Sequence, residues 1–358
     1  MPEMLEIDGS EGEGGGQVLR TALCLSALTG RPFRLHRVRA NRPRPGLAPQ
    51  HLCAVRAAAR LCQAQVTGGE LRSTELVFAP QSPVQPAEYR FDVSEATVGG
   101  SAGAVTLLLQ TVLLPLALAP GPTRLELAGG THVPWSPPYE YLSGVFLPAV
   151  ARMGVRAQIQ LQRPGFYPAG GGAAEARIPG GPAALGPLQA VGRGALRRVH
   201  VHALAANLPA HIPQRMADRA RSLLAGAGLP CDLHPRRYSS AGPGAALVLV
   251  AEYDGLSAGF TGFGERGKFS AAVAEEACEL LLRFHAQDAP VDAHLGDQLL
   301  LPAAVAGGRT ELRVERVTGH LLTNAAVIGR FLPGRIQVEG GEGEPGVVRV
   351  EGGDPEWG

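Results

Sequence analysis

Three clusters in this chain carry residue types that do chemistry at short spacing. The first is Asp8-GSEGEGGGQ-Val18, a glycine-rich segment that leaves an expected strand and enters an expected helix. Free backbone N–H groups at a helix N-terminus attract anions. The Rossmann spacing fails because Gln17 stands where the third glycine belongs. Glu11 and Glu13 repel a bare phosphate, so Glu13 reads either as a solvated acid in a turn or as the holder of a divalent metal that bridges to phosphate. The second cluster is His36-RVRANRPRPG-Leu47, where Arg37, Arg39, Arg42 and Arg44 fall within eight residues and Arg20 lies on the preceding helix. Arginine grips phosphate through a planar fork; the alternative is a solvated strand and loop. The third is Thr318-GHLLTNAAVIGRFLP. His320 sits there between a strand and a helix, as a capping or core residue or as an exposed nucleophile.

Other segments support these or mislead. Gly99-GSAGAVTLLLQT-Val112 is a second glycine-rich helix entry, and Gln110 lies inside an apolar helix. A buried amide there costs about 1–3 kcal/mol unless paired, so Gln110 either finds a partner or points into a site. His294-LGDQ-Leu299 puts Asp297 and Gln298 at a helix start, suited to capping or to a nucleotide's base or ribose. Gly262-FGERGKF nearly matches a P-loop, but Phe269 replaces the hydroxyl residue that would hold Mg²⁺. His200-x-His202 alternates on a strand without a nearby third ligand and reads as no zinc site.

The elements that must position these residues form a recurring unit of helix, strand, helix and strand with Gly-rich turns. Apolar spacing of i, i+3, i+4 predicts helices over 17–28, 49–62, 101–118, 138–153, 296–306 and 322–331. Alternation predicts strands over 33–38, 70–78, 124–128, 155–162, 310–317 and 335–339. Residues 186–286 break the pattern and read as an inserted α/β domain, with strands near 199–204, 233 and 247–253 and helices over 212–225 and 270–285. The tail, 340–358, is rich in Gly and Glu and is expected to be poorly ordered.

The 358 residues exceed what one core usually serves. With 33 Lys+Arg against 32 Asp+Glu the net charge is +1, which excludes a general coat for polyanions and makes any nucleic-acid site local. Lys268 is the only lysine, so a lysyl-nucleotide intermediate has one candidate at most. Five unpaired-looking cysteines, no signal-like h-region and no apolar run of about 20 residues point to a reduced, soluble, cytoplasmic protein with no membrane contact.

Taken together, GSEGEGGGQVLRTAL, RANRPRPGL, GFYPAGGG, HLGDQLLLP and GHLLTNAAVIGRFLP, in this order, resemble the motifs of the RNA 3′-terminal phosphate cyclase family. The resemblance runs from about Leu5 to Val338. It implies an α/β fold of repeated βαβαββ units as in enolpyruvyl transferases, with a smaller inserted α/β domain. The catalytic domain would then be discontinuous, 1–185 and 287–339. It also implies an ATP-dependent ligase-class reaction that turns an RNA 3′-phosphate into a 2′,3′-cyclic phosphate, with AMP and pyrophosphate released. The resemblance makes His320 the nucleophile that becomes histidyl-AMP. Glu13 would bind Mg²⁺ or Mn²⁺, and Arg20, Arg39, Arg42 and Gln50 would contact phosphates of ATP or of the RNA partner. Gln110 and the segment His294, Leu295, Gly296, Asp297 and Gln298 would line the ATP pocket. Two departures stand out: His294 replaces a tyrosine expected to stack on adenine, with Trp135 available to compensate, and Pro164 replaces a basic residue, with Arg163 beside it. The competing reading is a non-catalytic cyclase-like RNA-binding or ribosome-assembly factor.

Overall fold

The computed structural model describes residues 3–96, 102–181 and 184–353. The first unit runs β1 (Leu5–Asp8), α1 (Gly16–Thr29), β2 (Phe33–His36), α2 (Pro49–Cys62), β3 (Gln65–Thr67) and β4 (Leu76–Ala79). Its sheet has the order β1-β2-β4-β3, with β1 parallel to β2 and the other pairings antiparallel. Helix α1 ends where Gly30 adopts φ +67° and its N–H bonds Ser26 O, the left-handed cap that glycine takes without strain.

The second unit repeats this with β5 (Glu88–Asp92), α3 (Val105–Leu118), β6 (Thr123–Gly129), α4 (Tyr139–Tyr141), a π-helical turn (Leu142–Phe146), α5 (Leu147–Ala151), β7 (Gln158–Arg163) and β8 (Gly172–Ile178). The sheet order is again first, second, fourth, third. The third unit begins with β9 (Gln189–Ala190). A separate layer then intervenes: β10 (Leu196–Ala206), α6 (His211–Gly226), β11 (Cys231–Tyr238), β12 (Gly244–Tyr253), β13 (Ala258–Phe263) and α7 (Ser270–Ala286). The unit resumes with α8 (Leu295–Val305), β14 (Gly308–Val314), α9 (Gly319–Phe331), β15 (Ile336–Glu339) and β16 (Gly346–Gly352). Strands β9, β14, β16 and β15 reproduce the same order and the same parallel-then-antiparallel pairing. The fold is thus α/β, with three βαβαββ units and a smaller α/β layer of sheet order β11-β10-β12-β13 within the third.

The helices 49–62 and 270–285 fall where periodicity puts them, to within a residue. Several strands do not. The segment 70–78 yields only β4, because Gly68 at φ +74° turns the chain after β3. Strand β9, within the stretch 186–286, pairs with β14 of the third sheet. The tail expected to lack order instead supplies β16, paired with β14 and β15 over Gly346–Gly352. Val348 and Val350 point inward there, an alternation that the surrounding Gly and Glu mask. Residues 97–101, including Gly99 and Gly100 of the second Gly-rich entry, lie outside the described residues.

One apolar core runs through all three units. Phe33 stacks on Phe78 at 5.7 Å and meets Phe331 edge-on at 6.3 Å, joining the first unit to the third. The insert has its own core between its sheet and helices α6 and α7. At the junction, Phe166 packs on Leu204, Ala206 and Ala246, and a Cβ on Gly244 would lie 2.2 Å from its ring. Phe166 also stacks on His132, whose Nε2 lies 2.7 Å from Glu140 Oε2 in a buried pair. All five cysteines are free. Among the described residues no helix is long and apolar enough to cross a membrane.

The junction makes stability acid-sensitive. His202 packs against His234 at 5.0 Å, and burial lowers it to about 4; Glu140 opposes this, while His234, His200 and Arg236 reinforce it. Burial beside Arg20 and Arg39 lowers His51 to about 3. Both imidazoles stay neutral in the folded chain at pH values where the unfolded chain protonates them. The unfolded state therefore binds more protons below about pH 6.5, and stability falls with pH by up to ~1.4 kcal/mol per unit for each group. The fall should continue to about pH 4 for His202 and about 3 for His51. Asp297, raised to about 7, works in the opposite sense over the same window, so the histidine is read by difference. Between pH 7.5 and 5 the urea midpoint of His202→Gln should be less acid-sensitive than the parent's, and equal changes in the two would remove His202 from the account.

Candidate active site

Four helix N-termini and the middle of a fifth helix converge on one cavity of about 810 Å³. Its wall includes Glu13, Arg20, Arg39, Arg42, Gln50, Gln110, His294, Asp297, Gln298 and His320. Leu295 and Gly296 do not line it: Leu295 is buried in the core, and Gly296 packs on Val314 and Leu321. Residues more than 300 positions apart are thus brought together by packing α1 against α9, and α8 against α9.

The glycine-rich loop is shaped by close approaches. A Cβ on Gly12, at φ +59°, would stand 2.2 Å from Thr323 Oγ1; one on Gly16 would stand 2.1 Å from His51 Nε2. The Glu13 N–H donates to Thr323 Oγ1 at 3.2 Å, fastening the loop to α9. Helix α1 then starts without a side-chain cap, leaving its first N–H groups toward the cavity.

His320 is the second residue of α9, whose start is capped by Thr318 accepting from Leu321 N at 3.1 Å. The imidazole is half-buried, and its Nδ1 lies 2.9 Å from Glu13 Oε2. The approach is off-line for a hydrogen bond, so the contact is electrostatic more than directional. Burial lowers the His320 pKa from its ordinary value, Glu13 works against that, and Arg20, His294 and Arg42 add to it. A carboxylate facing Nδ1 favours the tautomer protonated there, which leaves the Nε2 lone pair free. Arg42 stands 3.7 Å from the same Glu13 carboxylate.

A polar lattice braces the floor. Thr21 Oγ1 donates to Asn324 Oδ1 at 2.6 Å, and Asn324 Nδ2 donates to Asp297 O at 2.7 Å. Gln110 Nε2 donates to Gln298 Oε1 at 2.7 Å, so the amide inside the apolar helix is both paired and part of the site. Burial pushes Asp297 up to about 7 against the pull of Arg20, while Arg20 is lowered to about 10. Asp297 is not the cap of α8. That work falls to Asp292, whose Oδ1 accepts from His294 N at 3.0 Å, Leu295 N at 2.9 Å and Tyr141 Oη at 2.9 Å; its Oδ2 takes Gly259 N of the insert at 3.2 Å.

Sequence reasoning did not single out Asp292, Asn324, Thr21 or His51. Asn324 was within reach of it: one helical turn after His320, it shares that face. The near P-loop is resolved otherwise: Lys268 Nζ donates to Phe263 O at 2.9 Å and pairs with Glu276, so it ties down its own loop. Arg163 Nε likewise donates to Gly171 O at 2.7 Å, inside the GFYPAGGG loop. Among the described residues no three His, Cys, Asp or Glu side chains gather as a metal cage. Glu13 and Glu342 both face Gly319, with Oε1 atoms about 3 Å from where its Cβ would stand. One or two carboxylates suit Mg²⁺, which keeps several waters and takes its other oxygens from substrate phosphates.

The cavity therefore combines a half-buried imidazole, a carboxylate at its back and four arginines, Arg20, Arg39, Arg42 and Arg316, a set suited to phosphoryl chemistry on a polyanion. A family model described as RNA 3′-terminal phosphate cyclase matches residues 11–338. The RNA 3′-terminal phosphate cyclase of Methylococcus capsulatus is 54% identical over 335 residues, 94% of this chain and 93% of the relative. That of Trichormus variabilis is 53% identical over 339 residues, covering 95% and 97%. The Methanopyrus kandleri protein of the same name is 44% identical over 349 residues, covering 96% and 97%. A solved enolpyruvyl transferase, NikO from Streptomyces tendae, aligns with 99% of this chain and 49% of its own length at a TM-score of 0.40 and 12% identity. With the family match spanning the glycine-rich loop, the arginines and His320 alike, the chain belongs to the RNA 3′-terminal phosphate cyclase family.

Proposed function

We propose that this protein uses ATP to convert an RNA 3′-phosphate into a 2′,3′-cyclic phosphate, with His320 as covalent nucleophile. The observation that carries the reading is the His320–Glu13 contact at 2.9 Å within a cavity walled by Arg20, Arg39 and Arg42. A phosphate monoester resists attack because its oxygens repel the 2′-OH and leave poorly. Nε2 of His320 first bonds the α-phosphorus of ATP and pyrophosphate departs. An oxygen of the RNA 3′-phosphate then takes the adenylyl group and frees the imidazole. The 2′-oxygen finally attacks the activated phosphorus, losing its proton as AMP leaves. Covalent catalysis thus divides one hard displacement into easier ones.

The Glu13 carboxylate facing Nδ1 favours the proton on that nitrogen electrostatically and so leaves the reacting nitrogen unprotonated. The arginines and Gln50 bind phosphate oxygens, and fixed charge of this kind supplies much of the rate. Gln110, Gln298, Asp297 and His294 form the nucleoside end of the cavity. A divalent cation, Mg²⁺ or Mn²⁺, would be held by Glu13 and would neutralise triphosphate charge when bound. The reaction belongs in the cytoplasm, where ATP and RNA ends coexist.

The test is an oligonucleotide ending in a 3′-phosphate, incubated with ATP and Mg²⁺. Its end should become resistant to phosphatase, with one AMP and one pyrophosphate per end. The same strand with a 2′-deoxy terminal nucleotide has no attacking hydroxyl and should stop as the RNA–adenylate. An end that stays phosphatase-sensitive with a fully folded protein would leave the non-catalytic RNA-binding reading in its place.

A further inference from the structure

We propose that Trp135 is a stacking platform for a base of the single-stranded RNA close to its reacting 3′ end; the identity of the strand rests on the cyclase reading. Trp135 is 92% exposed, yet it lines the cavity that contains His320. An indole left in water adds little to the core, so packing does not account for it. Its backbone has φ +61°, the left-handed region, which a bulky residue adopts at a cost. The chain on both sides is held: His132 and Val133 are buried, Ser136 Oγ donates to Val133 O at 2.9 Å, and Tyr139 N donates to Thr131 O at 3.1 Å. A strained backbone fixed at both ends presents a rigid aromatic face outward at the rim.

The chemistry around the indole selects the occupant. The amide pair Gln110–Gln298, which can read the edge of a base, is built on α3 and α8. The sequence neighbours of Trp135 are Pro134, Ser136 and Pro137, which offer at most one hydroxyl. Trp135 therefore recognises a base by its face, and every base has one. That matches a strand whose sequence varies and whose phosphates are drawn by the arginines of the same cavity. Phe263, on the insert, also lines that cavity. The strand would leave between the Trp135 loop and the insert, which gives the insert a place in RNA binding.

Only Trp135 and Trp357 carry indoles, so Trp357→Phe leaves Trp135 as the single reporter. A hexanucleotide with a 3′-phosphate, added without ATP, should quench its fluorescence saturably. An abasic nucleotide at one of the last three positions should abolish the quench. By anisotropy, Trp135→Ala should weaken binding of this RNA roughly five- to a hundredfold, and Trp135→Phe should recover most of it. RNA that binds without quenching, and binds the alanine variant as well as the parent, overturns the proposal. Quenching by ATP and not by RNA overturns it in favour of adenine, and quenching that follows protein concentration overturns it in favour of a second copy. Saturable quenching by RNA without any cyclic phosphate formed would sink the cyclase reading and keep the platform.

Discussion

Replacing His320 by alanine should abolish transfer of label from α-labelled ATP to the protein, a loss of at least about a thousandfold if the imidazole is the covalent nucleophile. In the parent protein the label should be lost in acid and kept in base. Protonating the bonded nitrogen of a phosphoramidate makes it a good leaving group, whereas base leaves a poor one. A seryl adduct, a phosphodiester, would not share that pattern; an adduct on Lys268, also a phosphoramidate, would, and it would survive His320→Ala. His320 is half-exposed, with 45% of its side chain open, so the alanine variant should fold with nearly parental stability. Glu13→Gln keeps the size of the carboxylate and removes its charge. It should slow labelling less than His320→Ala does, because the nucleophile remains, while its orientation, its tautomer and the carboxylate proposed to hold the cation are lost. Label on the His320→Ala protein would place the adenylyl group elsewhere.

This histidine illustrates what was legible in the chain. A histidine at a strand–helix junction is more often a cap or a core residue than a nucleophile, and nothing local decides between them. The contact that favours the nucleophile, Glu13, lies at the other end of the sequence and is delivered by Thr323 fastening the glycine-rich loop to α9. The ordered motifs supplied by resemblance what spacing alone left open. Helices were the most readable elements, because an apolar stripe over 14 residues, as in α2, has few competing explanations. Short strands were not. Strand β9 has two residues, β5 follows a proline-rich stretch, and the inward valines of β16 sit among Gly and Glu. Such strands are fixed by partners across the sheet, which a local pattern does not contain. Asp292 was hidden for a similar reason: its four hydrogen bonds join α8, α4 and the insert, so its role exists only once those three meet.

Arg20→Ala should lower kcat/KM for cyclisation by roughly a hundred- to a thousandfold, the range for removing one preorganised group from developing charge. Arg20 rises from α1 on the cavity wall, with Nη2 donating to Gln17 Oε1 at 2.7 Å and Asp297 as its attractive neighbour. Burial lowers it to about 10, and it remains charged at every working pH. It also restrains Asp297, which burial raises to about 7. Without Arg20, Asp297 would hold its proton to higher pH, so the variant would lose the proposed phosphate ligand and shift the charge balance of the floor. Arg20→Lys separates these effects. Lysine lacks the planar fork, and its ordinary pKa of roughly 10.4 starts well below that of arginine. The same burial would carry it toward neutrality. The lysine variant should therefore regain part of the activity at pH 6.5 and lose it again toward pH 9, whereas the alanine variant shows no such basic limb. Equal profiles for the two variants would mean that charge at position 20 does not act on the reaction and that Arg20 serves only to hold Gln17 and Asp297 in place.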